Sequence, residues 1–275
     1  MKTRIIAGLC MLPLLLVLYL GGITLAIACA VISYIGVTEF YNGWEALEVQ
    51  PSKKIAYFMI TVLYAVHFMI FYLIPGTFAT RVMELMPWII MAWITLSITV
   101  SLVYGWRIKE RGAYDAMATA LGLIYVVFFS YHLVLLDMTP TGYMFTWTVI
   151  LAAFGSDICA YFTGFLMGKT KLAPNLSPKK TVEGAIGGII GAGILCGIYG
   201  YFFIPFAVGQ SIIIGIIGGA VSQAGDLSAS AFKRKMGIKD YGNLIPGHGG
   251  IMDRFDSVIF TAPFVYYFVI FFFEK

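Results

Sequence analysis

Charge is scarce in this chain. Only 12% of its 275 residues are Asp, Glu, Lys or Arg, while 60% are hydrophobic and the mean hydropathy is +0.89. So little charge excludes an ordinary water-soluble domain and points to an integral membrane protein. Cysteine is scarce as well. Cys10, Cys29, Cys159 and Cys196 all lie in apolar runs without CxxC spacing, which argues against a disulfide or zinc framework and for buried free thiols. There is no long polar segment to form a second domain, no Ser-His-Asp pattern, and no spaced DG-x2-AR…D-x3-D pattern. Paired halves with interrupted helices, the usual mark of a secondary transporter, are also missing. Of the three histidines, His67 and His132 stand isolated in apolar runs and are expected to be hydrogen-bonded core groups; only His248 lies in a polar stretch.

What the chain does have is a succession of apolar runs, long enough in most cases to cross a bilayer. They fall near 5–20, 22–38, 55–74, 87–105, 116–136, 145–167, 184–203, 206–224 and 258–273. The fold class expected is therefore all-α and polytopic, about nine transmembrane helices in one domain spanning 1–275. The helices of about 1–140 are less distinctive than those of 145–273. The basic start at Lys2 and Arg4 and the small residues Ala28 and Ala30 imitate a secretory leader. The apolar run continues to about Val37, however, with Gly21-Gly22 as a break, so two closely spaced membrane helices are expected.

With nine spans and a cytoplasmic N-terminus, the cytoplasmic segments collect Lys2, Arg4, Lys53, Lys54, Arg107, Lys109, Arg111, Lys169, Lys171, Lys179, Lys180, Lys233, Arg234, Lys235, Lys239 and Arg254. Only Arg81 and Lys275 fall outside. That asymmetry is what the positive-inside rule asks of a correct topology. Glycines recur in two adjoining spans, at Gly184, Gly187, Gly188, Gly191 and Gly193 and at Gly215, Gly218 and Gly219. Close helix packing in lipid accounts for them, with approach of backbone to a ligand as the other reading.

The sparse charge is concentrated. Ser230 to Ser257 holds five cations, three carboxylates and a histidine. A basic cluster (Lys233, Arg234, Lys235, Lys239) precedes the turn Pro246-Gly247-His248-Gly249-Gly250, and Asp253 and Asp256 follow. A second polar loop runs from Gly168 to Gly184 and carries Ser177, Lys179, Lys180, Thr181 and Glu183. Cations, hydroxyls and glycines together suit a polyphosphate, because lysine and arginine neutralise its oxygens and glycine exposes backbone N–H groups. Asp157 lies mid-way along one span, Asp226 near the end of another, and Asp253 and Asp256 share a helical face. Acids at membrane depth are costly and mark function. Asp226, Asp253 and Asp256 could give oxygen ligands to Mg²⁺, or pair with Arg254 and the nearby lysines. Glu39 and Glu183 read as helix-end groups.

These residues resemble a known family. The series Ser230-Ala231-Phe232-Lys233-Arg234, Lys239-Asp240 and Pro246 through Asp256 is similar to the signature of the phosphatidate cytidylyltransferases, or CDP-diacylglycerol synthases. Ser177 to Gly184 resembles a second block of that family, and Gly225-Asp226-Leu227 its lead-in. The likeness runs from about Asp157 to Ser257. It implies transfer of CMP from CTP to phosphatidic acid with release of pyrophosphate. It implies Mg²⁺ as cofactor, with a second metal or a monovalent ion such as K⁺ left open. Asp226, Asp253 and Asp256 would hold the metal and, with Lys233, Arg234 and His248, form the catalytic group. Ser177, Lys179, Lys180, Thr181, Ser230, Lys239 and Arg254 would surround the substrates. The partners implied are the two substrates, membrane lipid and a second copy in a homodimer, with no nucleic acid. The location implied is a bacterial cytoplasmic (inner) membrane, with the site facing the cytoplasm. Two positions depart from the family's pattern: Phe165 stands where arginine is common, and Ala229 where an acid is common. The alternatives are another CTP-using lipid enzyme (a polyprenol kinase or an archaeal-lipid cytidylyltransferase) and, more remotely, a secondary transporter.

Overall fold

A computed structural model describes residues 15–73, 85–244 and 249–273. Eight helices among these residues are long and apolar enough to cross a membrane. They are α1 (Gly22–Glu45), α2 (Lys53–Leu73), α3 (Met86–Tyr104), α4 (Ala113–Asp137), α5 (Gly142–Met167), α6 (Val182–Phe203), α7 (Val208–Lys235) and α8 (Met252–Phe273). The protein is thus a polytopic, mainly helical membrane protein. The run expected near 5–20 falls largely outside the described residues; its last part, 15–20, is helical and ends at Gly21, φ 57°.

The helices outrun the apolar segments that announce them. The span expected to end at 224 continues as α7 to Lys235, because intrahelical hydrogen bonding does not stop where lipid does. Lys233, Arg234 and Lys235 occupy its last turn, where cations complement the helix dipole. Gly237, at φ 70°, then closes the helix. Its amide bonds to the Arg234 carbonyl and that of Ile238 to the Lys233 carbonyl, a left-handed glycine stop.

Among the described residues, one element is not helical. Lys171–Ala173 and Ser177–Thr181 form an antiparallel hairpin, β1–β2, around a Pro174-Asn175 turn. Thr181 ends it and caps α6, its hydroxyl accepting the Gly184 amide at 3.1 Å. The Glu183 carboxylate accepts the amides of Lys169 (3.0 Å) and Thr170 (3.2 Å) and so fastens the hairpin's base. Glu183 is a helix-end group, as expected.

The glycines of α6 and α7 serve packing. A Cβ on Gly215 would meet Cys196 Cβ and Gly193 Cα, each at 2.8 Å, and one on Gly188 would meet the Ser156 carbonyl at 2.8 Å. α5, α6 and α7 therefore lie backbone against backbone, as small residues permit in lipid. His132 is satisfied as expected, through the Phe128 carbonyl (2.8 Å) and Tyr267 hydroxyl (3.3 Å). His67 is only half so: Nδ1 meets Tyr131 Oη at 3.0 Å, while Nε2 is buried without a partner among the described residues.

Candidate active site

The α1–α2, α3–α4, α5–α6 and α7–α8 connections all lie at one end of the bundle, because successive spans alternate in direction. Every lysine and arginine among the described residues sits at that end. The hairpin and the end of α7 meet there. Arg234 Nε donates to the Leu176 carbonyl at 3.3 Å, and Nη1 to that of Ile238 at 3.4 Å, joining the two polar blocks.

Two ion pairs organise the cluster. Lys180 of β2 pairs with Asp226 of α7, both about a quarter exposed. Lys233 Nζ lies 2.7 Å from Asp253 Oδ1, with the Asp253 side chain only 3% exposed. Asp253 Oδ2 accepts the amides of Tyr241 (2.7 Å) and Gly250 (3.0 Å). The bond to Gly250 reaches back three residues, in the manner of a capping box. Gly249, at φ 83°, is needed beside it, because a Cβ there would lie 2.8 Å from Asp253 Oδ2. Lys233 also stands 5.4 Å from the centre of the Tyr241 ring. Burial and the nearby Asp256 and Asp253 push the Tyr241 phenol well above its ordinary range, and its hydroxyl donates to the Ala229 carbonyl at 3.2 Å.

The three expected metal carboxylates are therefore not equivalent. Both oxygens of Asp253 are engaged by a cation and by backbone. Asp256 is buried, and its Oδ1 accepts the Ser257 amide (2.7 Å) and hydroxyl (3.2 Å). The same hydroxyl lies 3.4 Å from Asp157 Oδ2. Asp157, Asp226 and Asp256, from α5, α7 and α8, fall within electrostatic reach of one another, with Lys180, Lys233 and Arg254 as counter-charges. Among the described residues no three Asp, Glu, His or Cys side chains come close enough to hold a metal by themselves. Mg²⁺ asks for less: one or two carboxylates, with water and phosphate completing the shell. Asp226 and Asp256 meet that requirement in donor type.

Beside the acids a cavity of about 490 Å³ opens between α5, α6 and the hairpin. Asp157, Lys179, Lys180, Thr181 and Gln223 give it a polar wall, and Tyr161, Phe165 and Leu172 an apolar one. Phe165 is 77% exposed, its ring stacked near Tyr161; where the family pattern offers a cation, this chain presents an apolar surface. Ala229 is fully buried. Ser177 pairs with Ala173 in the hairpin, Ser230 is half-buried on α7, Lys239 is exposed after it, and Arg254 is half-buried in the first turn of α8. His248 lies outside the described residues.

Three contributors are not among the expected site residues. Glu39 of α1 accepts the amides of Ile251 (3.1 Å) and Met252 (2.9 Å), capping α8 rather than its own helix. Gln223 donates to Ser156 Oγ (2.9 Å) and the Ala185 carbonyl (3.0 Å) at the cavity floor. Tyr241 orders the Lys233–Asp253 pair. An uncharged amide among the glycines of α7 was the one available hint for Gln223.

Fold and site together define a polytopic membrane protein that gathers cations and carboxylates, suited to phosphates, at one end of its helices. The chain belongs to the cytidylyltransferase family, whose model matches residues 2–272. It is 33% identical over 267 residues to the phosphatidate cytidylyltransferase of Staphylococcus haemolyticus, covering 95% of this chain and 94% of that one. The Bacillus subtilis enzyme of the same name is 36% identical over 174 residues, 62% of this chain and 65% of the relative. That of Synechocystis sp. is 46% identical over 133 residues, 48% of this chain and 45% of the relative. Against these last two, the chain spans less than two thirds of the relative's length.

Proposed function

We propose that this protein is a phosphatidate cytidylyltransferase: CTP and phosphatidic acid give CDP-diacylglycerol and pyrophosphate. The observation that carries the reading is the pairing of Lys180 with Asp226 and Lys233 with Asp253 at one end of the bundle. Two separate sequence blocks thereby present cations beside acids next to a half-apolar cavity. An oxygen of the lipid phosphate attacks the α-phosphorus of CTP. A new P–O bond forms, the bond from the α-phosphorus to the bridging oxygen breaks, and pyrophosphate leaves with that oxygen.

The nucleophile is already anionic, so no strong base is required, and the protein's share is positioning and charge neutralisation. Lys179, Lys180, Lys233, Arg234, Lys239 and Arg254 neutralise phosphate oxygens, and Ser177, Thr181 and Ser230 supply hydroxyls around them. His248 belongs to the same group by its place in the signature. Asp226 and Asp256 would hold Mg²⁺, which would offset charge on the triphosphate. Asp253 fixes Lys233 and the Gly249-Gly250 turn. The apolar wall of Tyr161, Phe165 and Leu172 lets acyl chains stay in lipid while the headgroup meets Lys179 and Lys180.

In this reading the basic end faces the cytoplasm of a bacterium across its cytoplasmic membrane, and the protein works as a homodimer. Purified protein given CTP, Mg²⁺ and a panel of lipid acceptors should release pyrophosphate with phosphatidic acid. Release with a polyprenol or an archaeal ether lipid instead would move the assignment to a related CTP-using enzyme.

A further inference from the structure

Tyr125 carries an unexplained polar group. The residue is 4% exposed, and its hydroxyl has no hydrogen-bond partner among the described residues. A buried hydroxyl left unpaired is costly, and native structures rarely tolerate one without a reason. The residue also lies in a π-helical stretch, Leu123–Phe128, inside α4. Such a stretch adds a residue to a turn, re-aims the side chains that follow, and is frequent at functional sites.

Its position is fixed by its neighbours. The ring packs edge-on to Phe260 at 5.4 Å and lies 6.1 Å from Phe232. Phe232 immediately precedes Lys233, and Phe260 lies one turn beyond Asp256. A Cβ on Gly225 would meet Phe260 Cβ at 2.7 Å and the Asp256 carbonyl at 3.0 Å, so α7 and α8 close tightly beside Asp226. The Tyr125 ring therefore packs against the stretches of α7 and α8 that carry Asp226 and Asp256. Phe40 completes the ring's surroundings at 5.6 Å, and Tyr41 donates to the Thr119 carbonyl at 2.6 Å, pinning α1 to α4 just before the π turn.

We infer that the Tyr125 hydroxyl is a ligand-binding donor, directed at an oxygen of the hydrated divalent cation or of the phosphate it carries between Asp226 and Asp256. A phenol donates one hydrogen bond, and both kinds of oxygen accept one. The inference rests on the proposed function, since that supplies the cation and the phosphate. It adds a residue from the first half of the chain, where the family-like blocks are absent.

Tyr125→Phe removes the hydroxyl and little else. If the group is idle, the variant is unchanged or slightly more stable and binds as the wild type does. If it is a donor, metal-free protein keeps its melting temperature while ligand affinity falls. The experiment titrates Mn²⁺ alone, followed by electron paramagnetic resonance, and then Mn²⁺ with CTP, followed by calorimetry. The expected result is roughly ten- to a hundredfold weaker binding in at least one arm, as for loss of a hydrogen bond to a charged group. A loss with Mn²⁺ alone puts the oxygen on the hydrated cation; a loss only with CTP puts it on the phosphate. Unchanged affinity in both arms overturns the inference, as does a lower melting temperature without ligand. Wild-type pyrophosphate release in the same preparation separates that failure from failure of the proposed function.

Discussion

The carboxylate of Glu39 accepts the backbone amide of Met252 at 2.9 Å, across 213 positions of sequence. With Ile251 it satisfies two amides at the start of α8, the helix that carries Asp253 and Asp256. Gly242 and Gly250 leave room for it; a Cβ on either would collide with the carboxylate. Glu39→Ala strands both amides in the interior and should cost about 1–3 kcal/mol. Thermal unfolding in detergent checks this, and pyrophosphate release should fall with it. Glu39→Gln keeps one acceptor oxygen and should fall between.

Lys180→Met should raise the KM for CTP by about tenfold or more and leave the helical bundle folded, because Lys180 both pairs with Asp226 and faces the cavity. Lys180→Arg should recover part of that loss, limited by the different reach of a guanidinium. Steady-state kinetics over CTP decide it.

The Lys233–Asp253 pair should show strong coupling in a double-mutant cycle. Lys233→Met leaves a buried carboxylate short of its cation, and Asp253→Asn leaves a partly buried cation short of its anion. Each should destabilise by about 3–5 kcal/mol, and the double variant by clearly less than the sum. Additive losses in chemical denaturation would show that the pair does not act as a unit.

Glu183→Ala should loosen the hairpin without unfolding α6, since Thr181 still caps that helix. The amides of Lys169 and Thr170 lose their acceptor. Limited trypsin digestion should then cut faster at Lys169, Lys171, Lys179 or Lys180, while circular dichroism keeps its helical signal. Equal cleavage rates would show that Glu183 does not hold the hairpin.

The sequence made the spans legible because lipid requires what hydropathy counts: an unbroken apolar run. It did not mark where helices end, since α7 runs eleven residues past the expected end at 224 to Lys235 on hydrogen bonds and a glycine stop alone. The signature acids were visible, but their division of labour was not. Spacing puts Asp253 and Asp256 on one face, yet Asp253 turns to Lys233, Tyr241 and Gly250 because of the turn that precedes it. Asp157 was visible as a costly acid within a span; its link to Asp256 through Ser257 was not. Glu39 and Tyr125 act only through residues distant in sequence, and a short window holds no trace of such contacts.

The proposed reaction, transfer of CMP from CTP to phosphatidic acid by the acids and cations at the basic end, has a product that can be followed. Formation of labelled CDP-diacylglycerol tests it most directly, using purified protein in mixed micelles with labelled CTP, phosphatidic acid and Mg²⁺. The wild type should form the product only when all three are present, and Asp256→Asn, folded by its melting curve, should form none above background. Wild-type protein that makes no CDP-diacylglycerol under these conditions, or an Asp256→Asn variant as active as the wild type, would rule out the proposed reaction at this site.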